Sequence, residues 1–224
     1  MIVRLPGLLD AATLADVTAK LEGAPWEDGK STAHGRARDV KHNLVVPSEH
    51  EASRHAGRPI LECLARHEGF RAAALPKTIL PLKFCRYDAG MGYGAHLDLP
   101  MMGTARGAIR TDISMTIYLS DPDAYAGGDL VFETDYGVHR MRGGAGDAVL
   151  YPASTLHAVE PVEHGTRLVA ITWVQSAVRD PAQRRILFDI AQVATALETE
   201  DARAEEVLKL RKSHYNLLRA WAEQ

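Results

Sequence analysis

GDAVLYPASTLHAVEPVEHGTRLVAITWV, residues 146–174, decides how this chain is read. It contains three apolar runs, DAVLYP (147–152), LHAVEPV (156–162) and RLVAITWV (167–174). They are rich in Val, Leu, Ile and aromatic residues, and each is too short for a helix. Ala-Ser-Thr and His-Gly breaks separate them, as expected of strands joined by tight connections. Upstream the same pattern recurs in ILPLKFCRY (79–87), YGAHLDL (93–99), DISMTIYLS (112–120), DLVFET (129–134) and GVHRMR (137–142). Roughly eight short strands punctuated by Gly-Gly, Asp-Pro and Gly-Asp pairs predict a β-sandwich or jelly roll over residues 78–178.

Helical texture flanks this region. Asp10 is placed to cap a helix over 11–22, with Leu14, Val17 and Leu21 on one stripe. Residues 23–43 are rich in Gly, Lys, Arg and His and read as irregular. Ser48 would cap a second helix over 49–68, in which Pro59 marks a break or a new first turn and Ile60, Leu61 and Leu64 face inward. After Asp180-Pro181, Ile186, Leu187, Ile190, Val193 and Leu197 form a stripe. A last helix near 201–222 carries Val207, Leu208, Leu210, Leu217, Leu218 and Trp221. The expected organisation is therefore a helical segment over 1–77, a β domain over 78–178 and a C-terminal helical hairpin over 179–224. The hairpin would pack on the core or support a homodimer.

Composition narrows the class. The chain has 224 residues, of which 46% are hydrophobic and 25% charged, with a net charge of -3. That is ordinary globular usage with no overall field for nucleic acid or anionic membranes. The two cysteines, Cys63 and Cys85, form no CxxC pair and read as reduced thiols. No secretory signal and no run of roughly 18 apolar residues is visible, so the cytoplasm is the expected location.

His96, Asp98, His157 and Arg167 carry the chemistry. On an extended strand His96 and Asp98 share a face. A third ligand from His157 completes a 2-His-1-carboxylate set, which suits non-haem Fe(II) with positions left open for substrate and O2. Arg167 opens an apolar strand, where an unpaired charge is costly and a ligand carboxylate would be a partner. Together these features point to an oxygenase that consumes a 2-oxo acid. Period two puts Val169, Ile171 and Trp173 on the face of Arg167, and sets Ser114, Thr116 and Tyr118 together on the DISMTIYLS run. Tyr87 lies just upstream of the Gly-rich turn. Ordinary readings compete: a chance HxD among ten histidines, a rim salt bridge for Arg167, and cross-strand packing for Ser114 and Thr116. The basic HGRARDVKHN (34–43) reads as a solvated loop or as a lid over an anionic substrate. The remaining histidines read as solvated, with His139 on a strand but without a partner at ligand spacing.

VKHN (40–43), HLDLPMM (96–102), RTDISMTIYLSDPDAYAGGDL (110–130), GDAVLYPASTLHAVEPVEHGTR (146–167) and WVQSAVRD (173–180) resemble the bacterial PKHD-type hydroxylases. These are Fe(II)/2-oxoglutarate dioxygenases related to prolyl and lysyl hydroxylases. The resemblance implies a double-stranded β-helix (jelly-roll) core, iron on His96, Asp98 and His157, and 2-oxoglutarate on Arg167. Tyr87 and Tyr118 match tyrosines that touch the co-substrate in relatives, and ascorbate is implied as reductant; by position on its strand, Thr116 is an alternative to Tyr118 for assisting Arg167. The reaction implied is hydroxylation of an unactivated C–H, with 2-oxoglutarate decarboxylated to succinate and carbon dioxide. The prime substrate is left open among a protein side chain, a peptide, an amino acid and an iron-chelating small molecule. Rival readings are a non-enzymatic iron or 2-oxoglutarate sensor on the same fold, a zinc hydrolase using the same ligands, and a cupin-like isomerase or binding protein.

Overall fold

The computed structural model describes residues 1–104, 107–199 and 204–223. Two antiparallel sheets face each other as a jelly roll. The larger runs in the order Val3–Leu5, Ala148–Pro152, Ile113–Tyr118, Val162–Ser176, Lys83–Asp88, Leu44–Val45, Glu27–Asp28. Tyr125–Gly127 and Pro76–Ile79 also pair with Val162–Ser176. The smaller runs Gly137–Met141, Leu130–Thr134, Leu156–Val159, Gly92–His96, Lys41–His42. A separate hairpin, Met101–Thr104 with Gly107–Arg110, stands beside them.

Strand alternation sorts the core into two layers. Phe84, Met115, Ile117, Ala170 and Val174 leave the large sheet on its outer face and pack on Val17, Ile60, Leu64 and Phe70 of the helices. Cys85, Tyr87, Tyr118 and Val169 point the other way, into the sandwich, where they meet Leu130, Phe132 and Val159 of the small sheet. The central strands are thus buried on both faces.

The first helix, Ala11–Leu21, is capped by Asp10, whose carboxylate accepts the Thr13 amide at 2.7 Å. The second expected helix starts later and breaks later than its sequence suggests. It spans Glu51–Arg66 and its cap is His50, whose Nδ1 accepts the Ala52 amide, rather than Ser48. Pro59 lies inside it without ending it, and Leu61 faces solvent while Ala56, Ile60 and Leu64 are buried. The break falls at His67, which caps a further helix, Glu68–Ala74. The segment expected to be irregular contains Glu27–Asp28, a 3-10 turn at Gly29–Thr32, a helix at Gly35–Asp39 and Lys41–His42.

Pro181 opens a helix to Thr199, with Asp180 accepting the Ala182 and Gln183 amides. Its buried stripe is Arg184, Leu187, Phe188, Ala191 and Ala194, whereas Ile186 and Val193 are exposed. The alanines let the helix approach closely, which side-chain size alone does not reveal. The last helix, Ala204–Trp221, packs along it, with Val207 and His214 buried and Leu208 exposed. The expected start of that helix at 201 and its link to the preceding one lie outside the described residues. Glu223 ties its end back to the β core through Arg110 at 2.9 Å. Among the described residues no helix is long and apolar enough to cross a membrane. Both cysteines are free, Cys85 buried and Cys63 partly so.

Phe132 is fully buried, pairs in register with His157 and packs on the Tyr151 ring at 4.7 Å. Phe132→Ala is expected to cost about 3–5 kcal/mol, the usual loss for a large core aromatic. Urea unfolding checks it as a lower midpoint with an unchanged slope.

Candidate metal centre

The small sheet brings the two histidines together. Leu156–Val159 pairs antiparallel with Gly92–His96, and His157 stands directly opposite His96, so both rings rise on one face. Their centroids are 4.3 Å apart. Each Nδ1–H donates to a carbonyl two residues earlier, His96 to Gly94 and His157 to Thr155, both at 2.9 Å. That fixes the tautomer and leaves each Nε2 lone pair free to bind an ion. Burial, then the neighbouring His157, push the His96 imidazole down to about 4, which favours its neutral, ligating form.

Asp98 arrives by another route. The strand expected over 93–99 stops at His96, so Asp98 stands on the loop beyond it. Its carboxylate is held by a hydrogen bond from the Ser114 hydroxyl, which belongs to the opposite sheet. Oδ2 lies 3.9 Å from His157 Nε2, and the three ligand atoms fall within 4.8 Å of one another. A single divalent ion would fit among them once the side chains turn inward, since atoms about 2.1 Å from a common ion lie at most about 4.2 Å apart. Two imidazoles and one carboxylate suit iron(II) with open positions.

These residues line a cavity of about 490 Å³ that reaches Arg167. Arg167 is 1% exposed, and its Nε and Nη2 have no hydrogen-bond partner among the described residues. Its guanidinium carbon stands 5.1 Å from the Tyr87 ring centroid and 5.7 Å from that of Tyr118, cation–π contacts that leave the donors unspent. The Gly127-Gly128 turn makes room for it. Gly128 has φ +68°, and a Cβ there would come within 3.1 Å of Arg167 Cδ. A buried guanidinium with free donors calls for a carboxylate.

The other sequence candidates separate. Tyr87 and Thr116 line the cavity, and burial pushes the Tyr87 phenol up. Tyr118 supports Arg167 with its ring but does not line the cavity. Its hydroxyl donates to the Met141 carbonyl at 3.4 Å, and burial pushes it up to about 12. Val169, Ile171 and Trp173 join the lining as their alternation predicts. Ser114 acts through Asp98, not on a ligand carboxylate. Tyr93, unmarked by the sequence reading, stacks on His96 at 3.6 Å.

Ser114→Ala removes the hydrogen bond that orients Asp98. Metal affinity is expected to fall about 10–100-fold, the usual loss for such a supporting contact. Competition titration with a chelator measures it, and an unchanged affinity would show that Asp98 is held without Ser114.

Comparison with known proteins follows this geometry. The profile of the 2OG-Fe(II) oxygenase superfamily matches residues 82–175, and that of the PKHD-type hydroxylase C-terminal domain matches residues 181–223. PKHD-type hydroxylases of Hyphomonas neptunium and Stenotrophomonas maltophilia are each 42% identical, with both chains covered in full. Among solved structures, a Pseudomonas putida prolyl-4-hydroxylase superposes with a TM-score of 0.54 at 19% identity, covering 78% of this chain and 92% of that one. A Trichoplax adhaerens prolyl hydroxylase, solved with a hypoxia inducible factor peptide fragment, gives 0.57 at 14% identity, with 83% and 86% covered. The structural likenesses speak for the fold. Full-length identity above two-fifths speaks for the family, and the chain belongs to the PKHD-type hydroxylases of the 2OG-Fe(II) oxygenase superfamily.

Proposed function

We propose that this hydroxylase holds iron(II) on His96, Asp98 and His157 and holds 2-oxoglutarate by its far carboxylate on Arg167. The observation that carries this reading is the buried guanidinium, its Nε and Nη2 without a hydrogen-bond partner among the described residues, in the cavity that also contains the triad. Bound together there, iron and 2-oxoglutarate supply O2-dependent hydroxylation of an unactivated C–H coupled to decarboxylation to succinate and carbon dioxide.

The protein's own part is placement. The Gly94 and Thr155 carbonyls fix the histidine tautomers, and Ser114 fixes Asp98. Arg167 sets the direction in which the diacid lies, with Tyr87 packed on its guanidinium. Thr116 offers a hydroxyl from the neighbouring strand, while Tyr118 acts from behind Arg167. Val169, Ile171 and Leu130 make the intervening wall apolar, which excludes water from the reacting centre. No side-chain nucleophile is required, and ascorbate is the reductant expected to keep the metal ferrous in an assay.

Adding Fe(II) and 2-oxoglutarate without oxygen is expected to give a visible charge-transfer band, and admitting oxygen is expected to give succinate. His96→Ala and Asp98→Ala should lose both signals. Arg167→Gln should keep the metal but raise the 2-oxoglutarate requirement about 10–100-fold, the worth of a buried charged hydrogen bond. A requirement unchanged in Arg167→Gln removes Arg167 from the role. Zinc retained at the triad with no band from iron overturns the reading.

A further inference from the structure

The cavity wall carries two more cations, Lys41 and Lys83, for which the proposed reaction has no use. Lys41 comes from the VKHN segment. It sits on the outermost strand of the small sheet, opposite Tyr93, and is 5% exposed. Its Nζ donates to the Thr32 hydroxyl at 2.8 Å and lies 4.9 Å from the Tyr93 ring centroid. Tyr93 in turn stacks on His96, so one ring separates this ammonium from a candidate ligand of the metal. Lys83 reaches the cavity from the large sheet, paired with Ile171, with its Nζ 5.4 Å from the Trp173 ring centroid. Among the described residues, neither lysine forms an ion pair with a carboxylate within 4.0 Å.

Charge balance shows what is missing. Among the described residues, Asp98 is the one carboxylate on the cavity wall. A divalent ion brings two positive charges and Arg167 one. Asp98 offsets one of these and a bound 2-oxoglutarate dianion the other two. The loaded centre is then neutral, and Lys41 and Lys83 are left without a counter-charge. Burial pushes the Lys41 ammonium below its ordinary range, a penalty that a nearby anion would relieve. Position argues against assigning both lysines to 2-oxoglutarate. Lys83 stands four residues along its strand from Tyr87, the partner of Arg167, a separation of about 13 Å.

We propose that Lys41 and Lys83 form an anion-binding subsite for the prime substrate, so that the molecule oxidised carries an anionic group held between the two ammoniums while its reacting C–H faces the metal. The inference rests on the proposed function, since it takes Arg167 to be committed to 2-oxoglutarate. Two single-point ammoniums, unlike a guanidinium fork, set no strict bidentate geometry, and a carboxylate or a phosphate monoester would satisfy them.

The test uses the full chain loaded anaerobically with Fe(II) and 2-oxoglutarate. Probes are N-acetyl amino acids and short peptides, each as the free carboxylate and as the neutral amide, together with simple phosphate monoesters. Binding is read from the perturbation of the charge-transfer band. The acids, or the phosphates, are expected to bind at least about tenfold more tightly than the amides, as one well-placed charge contact would give. In Lys41→Met/Lys83→Met the preference should fall below about twofold, with the 2-oxoglutarate affinity retained. Lys83→Met alone, at the less buried position, should show part of the loss. The result that overturns the proposal is absence of discrimination in the wild type, whether both probe sets bind or neither does. Discrimination surviving in the double variant overturns it equally. A double variant that loses 2-oxoglutarate as Arg167→Gln does assigns the lysines to the co-substrate instead. Absence of the band in the wild type overturns the functional reading and this inference together.

Discussion

A guanidinium without an acid, sealed in the interior at Arg167, is the constraint around which the fold is arranged. Its strand, Val162–Ser176, is the backbone hub of the large sheet, paired along its length with Ile113–Tyr118, Lys83–Asp88, Tyr125–Gly127 and Pro76–Ile79. Stability alone gives no reason to put a charge there. A well-packed apolar side chain at a buried ion-pair position is often neutral or better, and here no acid among the described residues pairs with it. The surrounding structure accommodates the cation without neutralising it. Tyr87 and Tyr118 offer ring faces, and Gly128 withholds a Cβ that would crowd Arg167 Cδ. A buried cation left in this way favours an anion at its free donors.

The proposed metal ligands depend on the same two-sheet geometry in a different way. His96 and His157 come from neighbouring strands of one sheet, so their spacing follows from antiparallel register. Asp98 has left that sheet, and its hydrogen-bond partner Ser114 belongs to the other. The triad therefore spans the sandwich, and its geometry is right only when both sheets are packed. Ile113–Tyr118 serves both purposes at once. Met115 and Ile117 anchor it to the helices, while Ser114 and Thr116 face the cavity. Catalytic geometry and core stability thus share one strand without sharing a face.

Strand runs were legible because alternation and turn residues are local signals. Those same signals gave the positions of His96, Asp98, His157 and Arg167. What the sequence obscured was set by tertiary contact. The YGAHLDL run reads as one strand through Asp98, yet its ladder with Leu156–Val159 stops at the His96–His157 pair and the strand stops with it. His50 and His67 cap helices through Nδ1, a use of histidine with no distinctive pattern. Ile186 and Val193 share an apolar stripe by spacing but face solvent, whereas the smaller Ala191 and Ala194 are buried where the helix comes close. The hairpin at Met101–Thr104 and the two-residue strands before Val45 are too short to alternate visibly. Lys41 was the costliest omission. In HGRARDVKHN it looks like one more solvated charge, and only the pairing of Lys41–His42 with Gly92–His96 takes it inside.

That omission bears on how charge should be read. A net charge of -3 suggests a chain indifferent to anions. The field that a ligand meets is local, however, and low-dielectric walls focus it. With a divalent ion on the triad, this cavity presents the ion, Arg167, Lys41 and Lys83 against a single Asp98. It is strongly cationic before 2-oxoglutarate arrives and still cationic afterwards. The acids that give the chain its negative balance lie elsewhere, many of them in exposed pairs such as Arg185–Asp189 and Lys209–Glu205 that contribute little. Sorting charge in this way leaves the molecule mildly acidic outside while its interior would suit the dianion and the second anionic partner proposed for it.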